Sequence, residues 1–230
     1  DLGFIYEGTY KYEDFDKVGD TYTLKRNVPY FSSESNTQPG MPKYADLNGD
    51  GIIDDNDRTM IGNGMPKHTG GFTNNFEYKG FDLSIFFQWS YGNDVLNANR
   101  LFFENSNKTR DLNQYASYAD RWTPENPESN IPRATDSGSN KVFSTRIIED
   151  GSFLRLKTVS LGYTLPKQLT KKWKIDNARV FVAGQNLWTC TGYSGYDPEV
   201  SIREGALTPG LDFSAYPRAY SISFGINLGF

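Results

Sequence analysis

Tyr220-Ser221-Ile222-Ser223-Phe224-Gly225-Ile226-Asn227-Leu228-Gly229-Phe230 decides how this chain is read: every even position is large and apolar, every odd position small or polar. A period of two marks a β-strand with one apolar face. Its eleven residues, at about 3.4 Å each and tilted by about 45°, rise roughly 26 Å, which matches the apolar band of about 25 Å on an outer-membrane β-barrel. Soluble strands alternate too, but they average about 5–6 residues and seldom run into a terminal aromatic without a polar tail. The stretch predicts a membrane strand.

Composition agrees with that reading and narrows it. Mean hydropathy is negative and no run of about 18 apolar residues exists, which excludes a transmembrane helix but not a barrel whose strands are half apolar. The chain has 15 Tyr, 16 Phe and 22 Gly, a mixture that suits an all-β chain with many turns and aromatic girdles. A net charge of −4 argues against nucleic acid as a partner. Cys190 stands alone, so there is no disulfide framework, and it reads as a small buried hydrophobe. The sequence starts at Asp1 without a Met or a charged-then-apolar leader, so a signal peptide is expected to be removed or to lie upstream.

The same alternation recurs upstream. Phe72, Phe76 and Tyr78 share one face against Gly71, Thr73, Asn75 and Glu77, with Asn74 interrupting the apolar side. After Lys79-Gly80, Phe81, Leu83, Ile85, Phe87, Trp89 and Tyr91 alternate with Asp82, Ser84, Phe86, Gln88 and Ser90, which predicts a long hairpin over 70–91. Strand character returns over 152–189. There Leu154 and Leu156 run out of phase with Val159, Leu161 and Tyr163, and a bulge near Lys157 reconciles them. Leu165, Leu169 and Trp173 fall on one side of a short helix that follows, with lysines as a solvated rim. A further strand spans about 178–189, but its faces stay unassigned, because Phe181 and Leu187 oppose Val180 and Val182.

Between these strands lie the loops. Residues 1–43 carry no sustained period and read as irregular surface chain. The segment 92–151 is far longer than an ordinary connection, which marks a functional or partner-binding excursion. Within it Leu112, Tyr115, Ala116, Ala119 and Trp122 have helical spacing after a possible cap at Asp111, and Pro124 ends the run. A loop over 190–217 leads to the closing strand at 218–230. Turns are short at 79–80 and 165–177 and loops long elsewhere, the asymmetry of a barrel with periplasmic turns and extracellular loops. On that assignment 1–69, 92–151 and 190–217 face outside. Five strands cannot close a barrel and leave no edge in lipid, so further strands are expected upstream of Asp1.

One loop has metal-ligand spacing. Asp46, Asn48, Asp50, Asp54 and Asp57 occupy positions 1, 3, 5, 9 and 12 of the stretch 46–57, and Gly51 stands at position 6. A hard cation wants six to eight oxygens, Gly51 allows the sharp turn, and Ile52 offers its backbone carbonyl. A structural calcium ion is the expectation; a solvated acidic turn is the alternative. Asp57 replaces the usual Glu, and neither flank is helical, so a helix-less loop that staples surface chain fits better than a signalling EF-hand. No nucleophile, base or paired catalytic carboxylates stand out, and lone His68 reads as structural. An enzyme is not expected.

Several blocks in one order carry a resemblance: Tyr44-Ala45-Asp46-Leu47-Asn48-Gly49-Asp50-Gly51, Tyr78-Lys79-Gly80-Phe81-Asp82-Leu83-Ser84, Arg121-Trp122-Thr123-Pro124-Glu125-Asn126-Pro127, Glu149-Asp150-Gly151-Ser152-Phe153-Leu154-Arg155-Leu156, Gly184-Gln185-Asn186-Leu187 and Gly195-Tyr196-Asp197-Pro198-Glu199, with the terminal strand. With these the chain resembles the C-terminal barrel portion of SusC/RagA-type TonB-dependent outer-membrane transporters of Bacteroidetes-like bacteria. The resemblance implies an all-β fold, the C-terminal antiparallel strands of a barrel of about 22 strands with a plugged lumen and long extracellular loops. It also implies TonB-driven import of glycan or peptide, a SusD-like lipoprotein as lid, and a plug and TonB box outside this sequence. Trp122, Tyr193, Tyr196, Phe213 and Tyr216 fall in the outward loops, where an aromatic either stacks on a sugar or fills loop core. The alternative of another class is a secreted, calcium-stabilised β-sandwich that binds carbohydrate without transport.

Overall fold

In an antiparallel pair directly opposed residues share a face, so register decides which side chains line each side of a sheet. The computed structural model describes residues 2–105, 113–135, 142–199 and 209–230. Five strands, β1 (His68–Tyr78), β2 (Phe81–Tyr91), β3 (Phe153–Thr164), β4 (Asn177–Thr191) and β5 (Ser221–Gly229), pair in sequence order, each antiparallel to the next. The registers Phe87↔Phe72, Leu83↔Leu161, Leu161↔Val182 and Val182↔Phe224 run one apolar face across all five strands. The opposite face carries Thr73, Ser84, Gln88, Thr158, Ser160, Gln185 and Ser223.

That apolar face is open: Phe72 is 56% exposed, Ile226 67% and Phe224 81%. A β-sandwich would cover it with a second sheet. Aromatics gather at both ends, Trp89, Tyr91, Trp188 and Tyr220 at one and Tyr78, Phe81, Tyr163 and Phe230 at the other. No helix among the described residues is long and apolar enough to cross a membrane.

Both irregularities in the pattern are bulges. Phe86 opposes Thr158 and Phe87 opposes Leu156, which leaves Lys157 unpaired, as the phase change predicts. Across from it, Leu156 pairs Trp188 and Thr158 pairs Gln185, so Asn186 and Leu187 of β4 stand opposite the single residue Lys157, one residue in excess. Asn186 takes φ +52°, and Leu187 lies where a Cβ on Gly184 would be. The faces of β4 are thereby settled: Val180, Val182, Gly184, Trp188 and Cys190 join the apolar side, Phe181 the polar one. Cys190 is exposed rather than buried, because the apolar side of β4 looks outward.

The chain divides into two compact units, 1–64, 95–149 and 201–214 forming one, and 65–94, 150–200 and 215–230 the other. The second holds the five-stranded sheet. The first corrects the reading of 1–43 as irregular surface chain. Short strands pair Tyr6–Thr9 with Pro42–Tyr44 and Phe15–Val18 with Thr21–Leu24. Around them sit two small cores, one of Phe4, Tyr44 and Ile53, the other of Tyr10, Phe15 and Leu24. A third gathers Leu96, Ala98, Leu101 and Ile147 about a short helix, Asn99–Phe103, that the sequence did not announce. The helical spacing near Trp122 yields only a 3-10 turn at Ala116–Asp120, and its Asp111 and Leu112 lie outside the described residues.

Candidate functional site

On the polar face charge is concentrated at the two ends of the sheet. At one end the Arg155 guanidinium, buried on β3, donates to Asp197 (2.6 Å), Glu199 (2.9 Å) and Thr189 (3.0 Å). Lys157 stands 3.5 Å and the Arg218 guanidinium 3.2 Å from Glu199, and the Arg218 amide donates to Asp197. Burial works to raise the Asp197 carboxyl, but the Arg155 guanidinium and the amides of Glu199 and Arg218 hold it below the usual carboxylate range. Together these groups clamp the segment after β4 to the segment before β5.

At the other end Arg179 on β4 reaches over β3 to Asp82 on β2, with Nε 2.9 Å from Oδ1. The strand between contributes Gly162, where any Cβ would collide with the Arg179 guanidinium and the Asp82 carboxylate. His68 accepts a bond from the Trp89 indole (3.1 Å) and stacks on Tyr91.

The acidic loop belongs to the first unit. Asp46 accepts the amides of Gly49 (2.7 Å) and Gly51 (2.8 Å), Asn48 that of Asp50, Asp50 that of Ile52, and Asp54 that of Asn56. Gly49 (φ +78°) and Gly51 (φ +85°) occupy the left-handed region that such turns need. Asp57 is fully buried and accepts from Leu47, Asn48 and Asp54, which closes the loop on itself. Burial acts to raise its carboxyl, yet those three amides keep it below the ordinary value. Asp57 is thus an anion. Among the described residues no three acidic, His or Cys side chains converge at metal-ligand distance. The loop gathers all six predicted ligands, Asp46, Asn48, Asp50, Ile52, Asp54 and Asp57, in one turn whose carboxylates are engaged with backbone.

Beside it, Phe4, Phe31, Ile53 and Val142 line a cavity of about 510 Å³ with Asp54, Asp55 and Arg58. Arg58 pairs with Asp55 at 3.2 Å and lies over the Phe4 ring. Of the loop aromatics, Trp122 (5% exposed) and Tyr193 (6%) are loop core, whereas Tyr196 (84%) and Tyr216 (95%) stand free in solvent. Asp197 directly follows Tyr196 and Arg218 lies two residues after Tyr216, so both exposed rings project from backbone that the clamp fixes.

No family model matches the chain. It is 34% identical over 235 aligned residues to TonB-dependent receptor P3 of Formosa agariphila, a match that covers 99% of this chain and 22% of the relative. To TonB-dependent receptor SusC of Bacteroides thetaiotaomicron it is 28% identical, over 86% of this chain and 18% of SusC. The solved structure of the RagAB peptide transporter superposes on all of the chain with a TM-score of 0.76 at 26% identity, across 22% of that chain. The chain belongs to the TonB-dependent receptors of the SusC/RagA type. In such a receptor the five-stranded sheet is a stretch of transmembrane barrel wall, with its apolar side toward lipid and its polar side toward the lumen. The chain spans about a fifth of the length of the curated relatives it matches.

Proposed function

We propose that this chain supplies barrel wall and outer loops to an outer-membrane importer that takes up an oligosaccharide or peptide, is driven by TonB through a region outside this sequence, and is lidded by a SusD-like surface lipoprotein. The observation that carries this reading is the continuous apolar face over all five strands, bounded at both ends by aromatics and backed by a polar face. That is the arrangement a barrel wall needs. Exposed Tyr196 and Tyr216 suit ring stacking on a sugar or an aromatic side chain, and RagAB, which the chain resembles in structure, is a peptide transporter. The short turns at 79–80 and 165–176 face the periplasm, and the long loops face outside. The test is uptake by cells that lack the gene for the full-length protein: loss of uptake, matched by loss on deleting TonB, is expected. Undiminished uptake would overturn the reading.

The acidic loop is part of the same proposal. Asp46, Asn48, Asp50, the Ile52 carbonyl, Asp54 and Asp57 take one calcium ion with a weak dissociation constant of about 10⁻⁴–10⁻³ M, as in extracellular modules. Binding has to draw these oxygens inward from their backbone amides. It offsets carboxylate repulsion and rigidifies the chain ahead of β1, a structural role. Calorimetric calcium titration of the full-length protein and its Asp46→Ala/Asp50→Ala variant should give heat only for the former; equal heats rule the site out.

A further inference from the structure

The connection between β3 and β4 is more than a turn. Lys167–Thr170 is α-helical and Lys171–Trp173 continues as a 3-10 turn that ends at left-handed Lys174. The element is held in place: the Leu165 amide donates to the Ala178 carbonyl (2.9 Å), the Asp176 amide to Gly229 (2.8 Å), and Thr170 is buried. Yet Leu169 is 50% exposed and Trp173 67%. They lie four apart, as do Lys167 and Lys171, so helical spacing puts the two apolar residues on one side and those two lysines on another. Lys172 and Lys174 add two further charges, and among the described residues no carboxylate pairs with any of the four. This end of the sheet is also where Tyr78, Phe81 and Phe230 stand exposed on the lipid side.

We propose that the segment 166–174 is an interfacial anchor for anionic phospholipid: Leu169 and Trp173 enter the acyl boundary, and the lysines hold headgroup phosphates. Two observations select lipid as the occupant. The exposed apolar pair follows β3 at the end of the sheet where aromatics of the apolar face gather, and the unpaired lysines complement a negative surface. Tryptophan beside lysine at the edge of an apolar band is the composition of a membrane interface. The inference rests on the barrel reading above.

The experiment uses the full-length protein in vesicles of brominated phosphatidylcholine, with and without brominated phosphatidylglycerol. Fluorescence quenching assigned to Trp173 is taken as the difference from Trp173→Phe, and that assigned to lipid-facing Trp188 from Trp188→Phe. Trp173 should be quenched, and more so as phosphatidylglycerol is added. Replacing Lys167, Lys171, Lys172 and Lys174 by Ser should abolish that preference, by about fivefold in relative lipid affinity for each lysine at the surface. Heat-modifiable migration checks that each variant is folded. If Trp188 is quenched and Trp173 is not, or Trp173 responds equally to both lipids, the anchor is wrong while the barrel stands. If neither tryptophan is quenched, the barrel reading itself fails.

Discussion

The two units bury opposite things. In the loop unit the aromatics go inside, with Phe4, Tyr10, Phe15, Tyr44 and Trp122 each no more than 5% exposed. In the sheet most aromatics go outside, Phe86, Phe153 and Phe181 excepted, and charge is buried: Arg155 and Asp197 are 2% and 3% exposed. One chain thus follows one rule in two solvents. Where water surrounds the fold, apolar area withdraws from it. Where lipid surrounds it, that driving force is absent, and polar groups turn to the other face to find partners.

The comparison breaks first at Arg155. Arg155→Ala leaves Asp197 and Glu199 without their guanidinium, an expected loss of about 3–5 kcal/mol, read as a lower denaturant midpoint for the full-length protein in detergent. Acid probes the same contact. Because the folded Asp197 carboxyl is held below its ordinary value, its contribution is present above about pH 4 and fades as pH falls through the lower folded value. Asp57 behaves with the same sign, so acid below about pH 4 should loosen the Arg155 clamp and the acidic loop, seen as lower amide protection factors in both. Protection factors that stay flat across that pH range would deny their anionic partnership.

Phe15→Ala tests the loop unit: a vacated core site costs about 3–5 kcal/mol. Protease should nick the loops sooner, while the barrel keeps its heat-modifiable migration. Phe224→Lys tests the sheet, where a charge on the lipid face costs about 2–4 kcal/mol near mid-bilayer. Refolding into vesicles measures it, and an unchanged midpoint would mean that this face never meets lipid. The smallest effect is a gain. Asn74 sits on the apolar face opposite Ile85, so Asn74→Leu should stabilise the folded barrel by about 1 kcal/mol in the same refolding assay.

The sheet was readable in advance because long strands repeat their signal. Even the Lys157 bulge was visible, since the phase of the leucines flips across it. The faces of β4 were not, because its bulge depends on Asn186 taking a left-handed φ and on Leu187 filling the space over Gly184, neither of which leaves a periodic trace. The loop unit was opaque for another reason. Its strands of two to four residues are too short to show a period, and its contacts are remote, the Tyr6 amide meeting Thr145 Oγ1 across 139 positions. In the acidic loop the spacing revealed which residues share a turn. It could not reveal that Asp57 is the buried knot that ties both ends of that turn.

Gly162 carries a consequence for assembly. Neighbouring strands can zip together one pair at a time, each step needing only the strand before it. The bond from Arg179 to Asp82 passes over a third strand, so it forms only once β2, β3 and β4 lie side by side in register. A slip of one residue in β3 would bring a side chain under the guanidinium and turn Arg179 away from its partner. The missing side chain therefore acts as a proofreader, rewarding correct alignment of three strands with a single contact that no misaligned pair can make.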